Sequence, residues 1–157
     1  LAASPAGNHH FLTVIPDVPE NFNNIQNLGN NSHGWTEAAF KNDNLLVKEP
    51  NNASDIQAIR EFLAPDEFPP AGLADWDAQM HEVPCPAGMN DTEFIQTLQY
   101  EINRYLNNCP YTLIDENCAA WVNTILEHAC IPSDIREELG EFWGIDFLGD
   151  RRFDSRH

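Results

Sequence analysis

Covalent chemistry in this chain centres on Cys118. It follows Asn117, a residue type that caps helices, and it opens a strongly apolar run of helical periodicity. Unpaired N–H groups and the positive end of the dipole at a helix start favour a thiolate, and the same N–H groups can hold an oxyanion. A thiol nucleophile needs a base, and His10, at the head of a β-branched apolar run with His9 beside it, is the natural candidate. Neighbouring residues on a strand point to opposite faces, so only one of the two rings meets the thiol. His10 is preferred because the strand proper begins there, with His9 as the alternative. The competing interpretation of Cys118 is packing, since cysteine is among the most buried residue types. Cys109 and Cys130 stand at helix ends, where the dipole opposes a thiolate, and read as structural. Cys85 lies in a Pro-rich loop and is either exposed or bridged. The four cysteines lack paired C-x-x-C spacing, so no zinc site, and no cofactor, is expected. With Cys118 reactive, at most one disulfide forms among the other three. His81 with Asp75 or Asp77 makes a weaker metal constellation in an acidic loop, and Trp76 is the best exposed aromatic for a substrate groove.

These residues need elements to position them. His10 to Ile15 reads as a first strand ending at Pro16. Asp17 to Gly34, dominated by Asn, Pro, Asp and Gly, reads as a long loop with a short helical turn around Phe22 to Leu28. Trp35 to Phe40 and Asn44 to Lys48 are two further strands split by Lys41-Asn42-Asp43, a hairpin pattern. Ser54-Asp55-Ile56-Gln57 fits a capping box with Ser54 as the cap, opening a helix over 55–63 with Ile56, Ile59, Phe62 and Leu63 in a stripe. A long irregular connection over 64–89 follows. Asn90 to Glu93 then opens a helix to about Asn107, with Phe94, Leu98, Ile102 and Tyr105 on one face. Pro110 breaks it, and Tyr111 to Ile114 is expected to be extended. Asn117 to Ala129 is an amphipathic helix through Trp121, Val122, Ile125 and Leu126, and Ser133 to Leu139 is a last short helix before an aromatic tail.

The 157 residues are 42% hydrophobic, enough for one ordinary core, so residues 1–157 are expected to form a single unit. The chain starts at Leu1, which suits a domain processed out of or cut from a longer protein. Eight Lys plus Arg against 25 Asp plus Glu leave a net charge of −17, which disfavours nucleic acid and anionic membranes as partners. Neither a signal peptide nor a membrane anchor is visible. Asn30, Asn52 and Asn90 stand in N-x-[ST] patterns.

The run Asn117-Cys118-Ala119-Ala120-Trp121-Val122-Asn123-Thr124-Ile125-Leu126 followed by Ile131-Pro132, together with His9-His10-Phe11-Leu12-Thr13-Val14-Ile15-Pro16 earlier in the chain, resembles circularly permuted papain-like cysteine hydrolases. In these, as in cell-wall amidases and lecithin retinol acyltransferase-like proteins, the histidine strand precedes the cysteine helix. The chain also resembles C-terminal toxin domains of bacterial polymorphic or type VI secretion effectors. The resemblance implies an α+β papain-like fold, with the nucleophile helix packed on a small antiparallel sheet. It further implies that Cys118 attacks a carbonyl and His10 serves as its base. A third, orienting residue follows from neither motif. Hairpin geometry favours Asn42 or Asp43, or Glu37 and His33 in another register, and Asn42 is preferred.

The implied activity is hydrolysis of an amide in peptide or peptidoglycan by a secreted antibacterial effector, delivered to the periplasm of a target cell. Its implied partners are a cognate immunity protein and a secretion adaptor. Acyl transfer or thioester hydrolysis on lipids by the same Cys-His pair is the second reading. An acidic inhibitor or immunity-type binding protein is the third.

Overall fold

The computed structural model describes residues 9–69, 80–111 and 118–141. It is a mixed α+β domain, with helices packed around a curled antiparallel sheet. Its strands are β1 (Leu12–Val14), β2 (Gln26–Gly29), β3 (Ser32–Asn42), β4 (Leu45–Pro50) and β5 (Cys109–Pro110). Its helices are α1 (Ala53–Leu63), α2 (Asp91–Arg104), α3 (Cys118–His128) and α4 (Ser133–Glu141), with a 3-10 turn at Pro19–Asn21.

β3 is the central ribbon. The sheet order is β1-β3-β4-β5, with β2 also paired to β3. The expected long loop over 17–34 is therefore corrected: it contains β2 and the start of β3. Asn30 and Asn31 both take the left-handed conformation (φ 53° and 59°) and reverse the chain between them. That is the backbone a tight hairpin requires, and Asn tolerates it where most residues do not. Asp43 and Asn44 repeat the device between β3 and β4 (φ 49° and 67°), which moves the turn past the expected Lys41. Where the chain leaves β1, it crosses Gly34 so closely that a Cβ there would stand 1.9 Å from the Val14 carbonyl oxygen.

The helices form where their stripes predict, with one change of cap. Asn52, not Ser54, caps α1, its side chain accepting from the amides of Ser54 and Asp55. Asn90 caps α2 by accepting from the Glu93 amide. α2 ends earlier than expected, at Arg104, because Lys48 from β4 closes it: Nζ donates to the carbonyls of Ile102 (2.9 Å), Asn103 (3.3 Å) and Tyr105 (2.7 Å). A cation on these last carbonyls satisfies orphan acceptors and complements the dipole.

α3 lies on β3 and against α2 and α4, while α1 covers β2 and β3. The main core joins Ala39 and Leu46 of the sheet to Phe94, Leu98, Trp121, Val122, Ile125 and Leu126. Trp121 is fully buried. A smaller cluster of Leu28, Ile56 and Ile59 holds α1 to β2. Cys109 is buried in β5 rather than at a helix end. The expected cap Asn117, the extended run beyond Tyr111, Trp76, Asp75, Asp77 and the aromatic tail lie outside the described residues.

Candidate active site

His9 lies three residues before the edge strand β1. Carrying the β1–β3 register back from Leu12↔Glu37 sets Phe40 opposite His9. The ring stacks on Phe40 (centroids 4.9 Å apart, 30° between planes) and on Phe11 (5.7 Å, 27°). Two aromatic faces thus hold the imidazole in one orientation. Its Nε2 lies 2.8 Å from Oδ1 of Asp55, and the Cys118 thiol is near enough to act on the ring. One imidazole therefore contacts a carboxylate directly and lies beside a sulfur.

Asp55 is placed by the start of α1. It is the third residue of the helix, its amide bound by the Asn52 cap, and helix-start N–H groups favour a carboxylate there. Its side chain is only 2% exposed. The second oxygen, Oδ2, is buried with no hydrogen-bond partner among the described residues. A buried carboxylate of this kind needs a counter-charge, and His9 is the neighbour that supplies it. Burial alone would depress the His9 pKa. The hydrogen bonds and charges of Asp55 and Cys118 outweigh it and lift the value from 6.5 to about 9.

His10 behaves oppositely. Its ring is buried, and burial together with the neighbouring His9 charge lowers its pKa to about 4, so it is neutral at pH 7. The contact it makes to the thiol is through the backbone: its amide N–H points to Cys118 Sγ at 3.5 Å. Cys118 opens α3 and is partly buried. Tyr111 is near enough to sense the Cys118 charge, and burial first, then that charge, raises its pKa.

Of the residues singled out from sequence, the structure brings Cys118, the His9 ring and the His10 backbone together. Asn42 is exposed at the far end of β3, paired with Leu45, and Asp43 is exposed in the following turn. Glu37 sits between Leu12 and Pro50 on its two flanking strands. Burial raises its pKa to about 7 against the Trp35 hydrogen bond and the Lys48 charge. His33 is exposed, opposite Asn27. All four cysteines are thiols; Cys85 and Cys130 are exposed. Among the described residues no group of three His, Cys, Asp or Glu is arranged to hold a metal ion.

No family model, no curated protein and no solved structure matches the chain. The case for a site therefore rests on geometry. Asp55 is the member that sequence reasoning missed, because Ser54-Asp55-Ile56-Gln57 was explained as a helix start. A signal was present: Asp55 stands four residues before Ile59 and eight before Leu63, which places a carboxylate on the apolar stripe of an amphipathic helix.

Proposed function

We propose that the protein is a cysteine-dependent amide hydrolase in which Cys118 is the nucleophile, His9 the general acid and base, and Asp55 the residue that orients His9. The observation that carries this is the His9 ring, stacked on Phe11 and Phe40, hydrogen-bonded to the buried Asp55 carboxylate and lying beside the Cys118 thiol. His9 here takes the part expected of His10, and Asp55 that expected of Asn42.

The chemistry follows from the contacts. With Nε2 on the carboxylate, Nδ1 is the nitrogen left to exchange a proton with sulfur. A His9 pKa of about 9 keeps the ring protonated at neutral pH, and the reaction starts from the thiolate form of Cys118, to which the His10 amide donates. The thiolate adds to the substrate carbonyl carbon, and the first-turn N–H groups of α3 receive the oxyanion. As the C–N bond breaks, the His9 proton passes to the leaving amine. Water then attacks the thioester carbonyl while His9 accepts its proton. The C–S bond breaks, releasing the carboxylic acid and returning the pair to its starting state.

The chain order, histidine before cysteine, supports a permuted papain-like arrangement. In that setting the amide belongs to a peptide, such as a cell-wall peptide met by a secreted antibacterial effector with its immunity protein and adaptor. The test is labelling of folded protein with iodoacetamide, read for each cysteine by mass spectrometry. Cys118 is expected to label at neutral pH faster than the exposed Cys85 and Cys130, and to lose that advantage in His9→Ala. A Cys118 that labels only after unfolding overturns the proposal.

A further inference from the structure

A groove of about 750 Å³ starts at His9 and Asp55 and follows the chain from His9 to Ile15 and on to Asp17. Side chains alternate between the two faces of a strand, so all three consecutive residues of β1, Leu12 to Val14, line one groove only if the strand's own edge faces into it. The sheet agrees: β1 is the end strand, and among the described residues it pairs with β3 alone. Its outer row of N–H and C=O groups is a template for another strand. The walls are apolar, with Ile59 and Phe62 from α1, Phe94 and Leu98 from α2, and Val122 and Leu126 from α3. Away from the His9–Asp55 pair, the carboxylates Asp17, Glu82 and Asp91 line the groove, with no Lys or Arg among the lining residues.

We propose that this groove binds an extended peptide as an added strand along β1, with its scissile carbonyl at the His9–His10 end, where the His10 amide holds the Cys118 sulfur just outside the lining, apolar side chains against the helices, and a Lys or Arg side chain among Asp17, Glu82 and Asp91. This rests on the reading of Cys118 and His9 as the reacting pair. A fatty acyl chain would suit the walls equally but would cover the β1 edge without bonding it, and a buried backbone group left unpaired is destabilising. A peptide backbone satisfies the same groups. The carboxylates oppose an anionic headgroup and favour a cationic side chain. Across β1 and one residue on either side, Phe11 to Ile15, an extended chain advances about 13 Å, the length of about four extended residues.

Two measurements on the whole chain test the inference separately from the chemistry. Hydrolysis of p-nitrophenyl acetate needs the reacting pair but no groove. Cleavage of a library of decapeptides blocked at both ends, mapped by mass spectrometry, reports the groove. The best peptide is then N-methylated one position at a time. Methylation at alternate positions is expected to lower kcat/KM about tenfold, the worth of one hydrogen bond, and the positions between are expected to change little. Exchanging its distal Lys for norleucine is expected to reduce kcat/KM severalfold at low salt, and less at high salt. Sensitivity to N-methylation without alternation overturns the added strand. So does an ester rate that climbs with acyl length to the palmitate while no peptide is cut; both outcomes leave the thiol chemistry standing. If p-nitrophenyl acetate is not turned over and Cys118 does not label, the reading of the pair fails and the groove loses its role with it.

Discussion

At the residue scale, two adjacent histidines share a sequence context and differ in everything else. His9 meets a carboxylate and lies beside a sulfur, while His10 is buried next to the His9 charge, and their pKa values part to about 9 and about 4. His9→Ala is expected to slow ester turnover about a thousandfold, as removing an acid-base partner does. His10→Phe is expected to keep most of the rate, because the contribution of His10 to sulfur is its amide. Asp55→Asn should fall between them and move the alkaline limb of the pH–rate profile below 9, since the charge that lifts His9 is gone.

Stability carries the same signature. The raised His9 pKa gives a contribution complete below pH 6.5 and lost as pH climbs through about 9, and the lowered His10 pKa gives one complete above 6.5 and lost as pH falls toward 4. Each amounts to at most about 3 kcal/mol. Urea midpoints across pH are expected to peak near neutrality, with the alkaline decline flattened in His9→Ala and the acid decline reduced in His10→Phe.

At the element scale, the site depends on where α1 begins. Asn52 holds the amides of Ser54 and Asp55, so Asn52→Ala is expected to cost about 1 kcal/mol of stability. It should also lower Cys118 alkylation by loosening Asp55, a coupling that a remote cap such as Asn90 would not show. Gly34 is the other fixed point. A methyl group there cannot coexist with the Val14 carbonyl at 1.9 Å, so β1 would have to move off β3. Gly34→Ala is expected to destabilise by about 3 kcal/mol or more, read by urea unfolding. In what folded protein remains, the His9–Phe40 stack is lost, which a drop in Cys118 labelling would report.

For the whole molecule, the excess of carboxylates sets the response to salt. A net charge of −17 on a domain of this size repels itself, and salt screens that repulsion between exposed groups more than it screens a buried pair. Sodium chloride at 0.3 M is therefore expected to raise the melting temperature by about 2–4 °C, on the order of 1 kcal/mol. The alkaline limb assigned to His9 should shift little, because Asp55 is 2% exposed. A large shift of that limb with salt would place the ion pair in solvent and contradict the burial described.

Much of this architecture is legible in sequence because it is set locally. Stripes at helical spacing mark α1, α2, α3 and α4; Asn90 marks the start of α2; and the apolar run before Pro16 marks β1. The Asn30-Asn31 reversal escapes because two asparagines fit a loop as well as a hairpin, and only pairing of β2 with β3 separates the two. That Cys118 opens a helix is legible from the apolar run that follows it. Its partners are not, because strand alternation says that His9 and His10 face apart without saying which face meets α3. That choice was decided by the curl of β3 and the seating of α1, which carry Phe40 and Asp55 to one side of the chain at His9. Long-range packing selected one of two neighbouring rings, and a helix-start aspartate became its partner because that helix lies over the sheet.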